Sequence, residues 1–425
     1  MTISLLFLIF ISKISLKWLG IPENFSFLIF QHGLHPFINF TLNFLIGGVL
    51  FFIWIRKQDR TKLSPYYVTF LFFLSAVLSI QTIFQITLVN VAFSATMQIG
   101  GLVMAIALIF IYGIIIPSLL PIDIFAKHLR NISVFLVIIS LILLPMFWPM
   151  FFRGGRFIGV FKHIPYMVNA STFAFVFFIP MVFGRRDYAA DNNRFICFLL
   201  LFFIAVAVTL TATKAAVVTI LIAFVMAMAL YPAKNKSVFL FKLLFLSMAA
   251  FIIIMFGAPI TKAIYEVATG QRAFGMRTAQ DGIEARIDEV TRGLDTFHRS
   301  PYFGSGLLYK YIGEDGVMVD SYDPFKDPHN LFVSAGVIGG WPLIILSIIG
   351  YSMLMFGAIK GVLHKSDKKL LPGLFILSHL PVFVIYPAHF SLGGIADRIY
   401  WLVFGYLAVI YPQKANQRPV RVLSG

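Results

Sequence analysis

The sequence predicts an all-α, polytopic membrane protein with about twelve transmembrane helices and one long outer loop that contains an amphipathic helix. Three observations carry that prediction. Hydrophobic residues make up 59% of the chain and charged residues 12%, too few to cover a water-soluble surface. The apolar residues fall in runs of about twenty, the length that crosses a hydrocarbon core. The basic residues behind the net charge of +16 sit in the joints between runs, as membrane orientation requires, so the charge does not signal nucleic acid. The single cysteine, Cys197, lies inside an apolar run and offers neither a disulfide nor a cysteine metal site.

In chain order the runs cover 3–19, 37–55, 66–89, 97–120, 131–151, 166–184, 195–213, 215–231, 238–257, 330–359, 370–389 and 394–411. The first is apolar from Ile3 with Lys13 and Lys17 behind it, the reverse of a signal peptide, and is expected to be a retained span. Joints after every second run carry Arg56, Lys57, Arg60 and Lys62; Lys127 and Arg130; Arg185, Arg186 and Arg194; Lys234, Lys236 and Lys242; and Lys360, Lys365, Lys368 and Lys369. The positive-inside rule then places these joints and both termini in the cytoplasm. Lys17 is the misfit, on the outer side, where it can snorkel to the interface. Residues 1–257 are expected to form nine helices, 258–329 the long outer loop, and 330–425 three helices and a cytoplasmic tail.

Outer cations are few in this arrangement, and they cluster: Arg153, Arg156 and Lys162 after the fifth run, Lys214 between the seventh and eighth, and Arg272, Arg277, Arg286, Arg292 and Arg299 in the long loop. For a loop arginine the ordinary use is an ion pair with Glu266, Asp281, Glu284, Asp288, Glu289 or Asp295. Lys214 has no acid near it in sequence and sits in a polar island with Thr209, Thr211 and Thr213; it is either a site residue or a snorkelling residue at a helical hairpin.

Within the loop, Ile283, Ile287, Val290, Leu294 and Phe297 recur at helical spacing and predict an amphipathic helix over Ala279–Arg299, with Arg286 bordering the apolar stripe. Ser300-Pro301-Tyr302-Phe303-Gly304-Ser305-Gly306 ends it as a turn. Gly313–Asp327 is acidic and turn-rich, and its aspartate spacing fits no calcium loop, so it reads as a solvated lid. His329-Asn330 then opens a run containing Gly336, Gly339, Gly340 and Pro342; Asn330 is expected to hold the histidine ring, and the glycines permit close backbone approach.

The His329-Asn330 pair with Gly340 beyond it, the Gly336-Val337-Ile338-Gly339 step, the Arg286 helix and the Ser300–Gly306 turn together resemble the membrane-embedded O-antigen ligase and O-antigen polymerase superfamily. Arg153-Gly154-Gly155-Arg156-Phe157-Ile158-Gly159 followed by Asn169 resembles a further family segment, less specifically. The resemblance implies a GT-C-like enzyme of the bacterial inner membrane with a periplasmic active site. It would move a glycan from an undecaprenyl-diphosphate donor to a hydroxyl acceptor, with inversion and without a metal or other cofactor. It also implies roles: His329 as general base, and Arg286 and Lys214 on the diphosphate. Thr213-Lys214 stands where ligases carry a Ser-Arg step, and a lysine is a point charge where arginine is a fork.

The chemistry of the residues agrees. A departing diphosphate gains negative charge, which fixed cations in a water-poor cleft stabilise, and a sugar hydroxyl needs a base such as neutral histidine. Arg153, Arg156 and Arg292 are second candidates for substrate charge; Asn330 and Tyr302 are candidates for substrate contact, and Phe303 and Trp341 could line the glycan path. Lipid A-core, a growing carrier-linked glycan and a protein hydroxyl compete as acceptor, so ligase and polymerase stay open. From another class, a lipid-linked glycan transporter or flippase would use Asp397 and Arg398 as a gating pair, although no similarity between the halves of the chain supports it.

Overall fold

Apolar runs opened by proline, whose fixed φ suits the first helical position, set where the helices begin. The structure is a computed structural model that describes residues 9–10, 13–15, 29–30, 33–34, 36–57, 61–88, 95–153, 156–183, 194–230, 266, 279–306, 310–312, 318–320, 330–363, 367–385 and 395–410. A small hairpin of β1 (Ile29–Phe30) and β2 (Gly33–Leu34) precedes α1 (Pro36–Arg56) and α2 (Pro65–Leu88), each starting on its proline. Then come α3 (Ala95–Phe110), a π-helical turn at Ile111–Ile115 and α4 (Ile116–Leu119), without a break in direction. After α5 (Ile122–Leu143), a 3-10 turn at Trp148–Phe151 leads into the antiparallel hairpin of β3 (Phe152–Arg153) and β4 (Arg156–Phe157). Three apolar helices follow: α6 (Ile164–Phe183), α7 (Arg194–Leu210) and α8 (Lys214–Leu230). The loop contributes α9 (Ala279–Arg299) and the hairpin of β5 (Lys310–Ile312) and β6 (Met318–Asp320), and the chain closes with α10 (Leu331–Leu363), α11 (Asp367–Ile385) and α12 (Ile395–Ala408).

Among the described residues four helices are long and apolar enough to cross a bilayer: Pro65–Thr87, Gln98–Leu119, Ile122–Leu143 and Leu331–Leu363. Shorter apolar helices lie among the remaining expected runs. Leu45, Phe72, Phe135 and Phe356 are more than half exposed, the expected surface of helices that face lipid. The core runs along α12, where Ile399 to Leu407 are buried almost without interruption, and along the first half of α6. Gly405 packs against the Gly113 carbonyl in the π-helical turn, where the Tyr67 hydroxyl also donates to that oxygen at 3.2 Å. Small residues allow this approach of α12 to the turn.

One expected run is displaced. Residues 131–151 were expected to span, with Lys127 and Arg130 in the joint, yet α5 starts at Ile122 and ends at Leu143. Its first turns are amphipathic: Ile122, Phe125, Ala126 and Leu129 are buried while Asp123 and Lys127 are exposed, so averaged hydropathy hides the helix. Pro145 and Pro149 then disfavour its continuation. The run 238–257, most of 3–19, the side chain of Asp397 and most of Gly313–Asp327 lie outside the described residues, although Met318–Asp320 of the expected lid is a strand paired with Lys310–Ile312.

The two ends of the bundle differ. At one end the Ile410 amide donates to Lys62 O (2.8 Å), the Ser64 amide to Ala408 O (2.8 Å), Lys57 Nζ to Leu119 O (3.0 Å) and Lys369 Nζ to Leu407 O (2.8 Å). These lysines cap the carboxyl ends of α4 and α12, where a cation is favoured by the helix dipole. The carboxyl end of α2 and the start of α10 lie at the opposite end.

Candidate active site

At that opposite end α10 is broken. Gly339 (φ −137°, ψ 17°) and Gly340 (φ 66°, ψ −161°) leave helical geometry, so Leu331–Ile338 is a separate first helix, and Pro342 sits in the first turn of the second. A break inside an apolar bundle exposes backbone groups that must find partners. The Ser300–Gly306 turn supplies them. The Ser305 amide donates to Val337 O (2.6 Å), the Gly306 amide to Ile338 O (3.1 Å) and the Trp341 amide to Pro301 O (2.8 Å). From α2, buried Gln85 donates through Nε2 to Phe303 O (2.5 Å) and Ile338 O (2.7 Å), and Gln81 Nε2 donates to Tyr302 O (3.2 Å). Gly304 has φ +70°, and a side chain there would collide with Ile338 and Gly339 backbone.

His329 lies outside the described residues, one position before Asn330. The expected hold of Asn330 on that ring therefore falls outside the described residues; what they show of the Asn330 side chain is a helix cap. Its Oδ1 accepts from the Phe332 amide (3.0 Å) and the Val333 amide (3.2 Å), because the first turn of a helix has unpaired N–H groups and asparagine is a strong N-cap.

The helix over Ala279–Arg299 packs on α10 through Phe297, whose ring meets Trp341 edge-on at 5.4 Å. Its buried line differs from the expected stripe. Ile287 and Leu294 are exposed, while Gly293, Thr296 and Phe297 are buried, since the helix meets α10 at Gly336, where the Phe297 ring lies so close that a Cβ on the glycine would come within 2.9 Å of it. Arg286 is seven residues before Gly293 and lies along this line. Its Nη1 pairs with Glu289 Oε2 at 2.7 Å, with the arginine side chain 43% exposed and the glutamate 16%. Asp288 and Asp295 are exposed. Arg292 is half-buried on the same helix; Tyr302 is 69% exposed, and its backbone carbonyl is what the structure uses. The Phe303 ring packs on Phe84 at 5.0 Å.

Lys214 is the first residue of α8, after a tight turn in which Ala212 has φ 51°; its side chain lies outside the described residues. The polar island is a satisfied turn. Thr209 Oγ1 donates to Ala205 O (2.9 Å), Thr211 Oγ1 to Val208 O (2.7 Å), and the Thr213 carbonyl accepts from Ala216 (3.1 Å). Val208, Ala216 and Val217 pack with Val168 and Ile164 at the start of α6. That contact sets the Lys214 turn beside the β3–β4 hairpin, where Arg153 and Arg156 are direct cross-strand partners. The described residues show no contact between Arg286 and either of these cationic segments.

Sequence reasoning missed Gln81 and Gln85. Two glutamines four residues apart in an apolar helix are the legible signal, since a polar residue there needs a partner. Arg398 is fully buried, its guanidinium 5.9 Å from the Tyr112 ring; among the described residues it meets no hydrogen-bond acceptor.

Residues 199–348 match the family model described as O-antigen ligase. The matched stretch encloses Lys214, Arg286, Arg292, Tyr302, His329, Asn330 and the break in α10, and leaves Arg153 and Arg156 before it. No curated protein matches the chain closely enough to count as a relative. Over residues 199–348, the stretch that holds the broken helix and its partner turn, this chain of apolar helices is therefore similar to the O-antigen ligase family.

Proposed function

We propose that this protein is an inverting, metal-independent glycosyltransferase of the bacterial inner membrane. It moves a glycan from an undecaprenyl-diphosphate donor to a hydroxyl acceptor, as in ligation to lipid A-core, on the periplasmic side. The family match over the broken helix and its partner turn carries this reading. We retain about twelve spans, with 258–329 as the periplasmic loop between residues 1–257 and 330–425. The gathering of Lys57, Lys62 and Lys369 at the bundle end opposite the break supports cytoplasmic termini and a periplasmic site.

In this mechanism His329, at the threshold of the first α10 helix, takes the acceptor hydroxyl proton as the hydroxyl oxygen attacks the anomeric carbon. The bond to the diphosphate oxygen breaks from the opposite face, and the leaving group departs with the electron pair. Arg286 and Lys214 meet the growing charge, with Arg292, Arg153 and Arg156 as further substrate cations. Glu289 holds one end of the Arg286 guanidinium, which carries five N–H donors in a fork suited to phosphate oxygens. Asn330 and Tyr302 belong to the substrate-contacting rim in this reading.

Thr213-Lys214 in place of Ser-Arg favours a second reading within the same superfamily, a polymerase that adds to a growing carrier-linked glycan. Glycan transfer by purified protein in EDTA, with and without lipid A-core, comparing wild type with His329→Ala, tests both. Histidine-dependent product that requires lipid A-core supports the ligase. Lengthening of carrier-linked glycan without it supports the polymerase, and no histidine-dependent transfer to any acceptor overturns the transferase and favours a transporter.

A further inference from the structure

We propose that the amino-terminal end of α6 forms a second phosphate-binding site, made by Arg153, Arg156, Lys162 and Lys13 with His163 and Tyr166 beside them, which takes a phosphate or diphosphate group of one of the substrates. The identity of that substrate rests on the transferase reading; the binding itself does not.

The sequence supplies the charge. No aspartate or glutamate occurs between Asp123 and Asp187, whereas this segment contains Arg153, Arg156 and Lys162. The fold then concentrates it. Arg153 and Arg156 face each other across the β3–β4 pair, a placement that is unfavourable for like charges. A second segment brings in Lys13: Ile14 bridges Phe161, the Ser15 amide donates to Val160 O (2.7 Å), and the Lys162 amide donates to Lys13 O (3.0 Å). Lys13 is 9% exposed, with its ammonium 5.1 Å from the centre of the Tyr166 ring. Residue 164 opens α6, so the positive end of a helix dipole lies at the same place.

The backbone that carries these cations is anchored. The Val160 amide donates to Ser140 Oγ (3.1 Å), and the Ile158 amide to Phe151 O (2.8 Å). Gly159 holds φ +56°, in contact with Ser140. Burial and the charges of Arg153 and Lys162 push the His163 imidazole down to about 3, leaving a neutral ring that can donate one hydrogen bond. Several cations carried on an anchored backbone around a neutral donor match a multiply charged tetrahedral anion better than a single carboxylate. The contact of Ile164 and Val168 with Val208, Ala216 and Val217 puts this site next to the turn that leads into Lys214.

Protein in nanodiscs tests this by its affinity for inorganic pyrophosphate, glycan-free undecaprenyl diphosphate and a phosphorylated core glycolipid. Wild type is compared with Arg153→Gln, Lys162→Gln and Lys162→Arg, with unliganded melting followed in each. We expect both glutamine variants to weaken binding about tenfold or more, with melting unchanged and the arginine variant close to wild type. Weakening confined to the undecaprenyl ligand identifies the donor, and weakening confined to the glycolipid identifies the acceptor. Unchanged affinity for all three ligands in both glutamine variants overturns the site. If Lys162→Gln melts early, the exposed Arg153→Gln alone decides. A wild type that binds pyrophosphate in this way yet transfers no glycan sinks the transferase reading and leaves the phosphate site standing.

Discussion

Gly304 and Gly340 lie on the two sides of one backbone-to-backbone contact. A Cβ on Gly304 would come within 2.5 Å of Ile338 and Gly339 backbone, and a Cβ on Gly340 within 2.5 Å of Pro301 O. Both residues hold positive φ, +70° and +66°. Gly340→Ala therefore adds a left-handed strain of roughly 1–2 kcal/mol to a collision with backbone that has no flexible side chain to move. Because the turn also pairs the broken ends of α10, the variant is expected to lower the melting midpoint and to reduce transfer at least about tenfold. Purified Gly304→Ala and Gly340→Ala, measured for melting and initial rate, check this; wild-type behaviour in both shows that the contact is dispensable.

Gln85 joins three elements through one amide nitrogen, donating from α2 to Phe303 O in the turn and Ile338 O at the break. Gln85→Leu removes that donor from both carbonyls; Ile338 O keeps the Gly306 amide, so the cost of an unpaired buried group, roughly 1–3 kcal/mol, falls on Phe303 O. Gln85→Glu keeps the shape but places an acceptor against acceptors. We expect both variants to lose stability and kcat together, with the glutamate no better than the leucine. Recovery of wild-type melting by the glutamate would show that volume rather than donation matters.

Arg286 and Glu289 form an ion pair whose arginine is 43% exposed, so its stability worth is below about 1 kcal/mol. The arginine's proposed work is in the transition state. Arg286→Lys retains the charge but loses the fork, and transfer is expected to fall about a hundredfold with melting nearly unchanged. Glu289→Gln is expected to change kcat far less. A rate loss in Glu289→Gln equal to that of Arg286→Lys would reassign the pair to structure.

His163 links acid stability to the cationic hairpin. Its folded value of about 3 lies below the ordinary value of 6.5, so between those limits the unfolded chain binds a proton that the folded chain does not. Stability from this group is complete above 6.5 and declines as pH falls toward about 3. His163→Gln is expected to flatten the fall of the unfolding midpoint in that window and to change nothing above it. Midpoints measured from pH 7.5 to pH 4, equal in slope for the two proteins, would count against the assignment.

Much of this molecule was legible in one dimension. Apolar runs of membrane length, opened by Pro36 and Pro65, located α1 and α2 within a residue or two, and the 279–299 periodicity located its helix, because these signals are local. Gly339, Gly340 and the Ser300–Gly306 turn were visible as punctuation, but not as partners. The start of α5 was hidden because its apolar residues occupy one face only.

The amino-acid sequence by itself determined a helical membrane protein, its resemblance to the O-antigen ligase family over residues 199–348 and the residue types available for phosphate and proton chemistry. Tertiary structure decided which of them are already engaged. Asn330 caps its own helix, Arg286 meets Glu289, and Gln81 and Gln85 reach across more than two hundred positions to the turn. The physical reason is that helix placement follows from burying apolar faces, which is written in periodicity. The break in α10 instead leaves polar backbone groups in an apolar interior, and those are satisfied by whatever donor or acceptor the packing brings within about 3 Å, however distant in sequence.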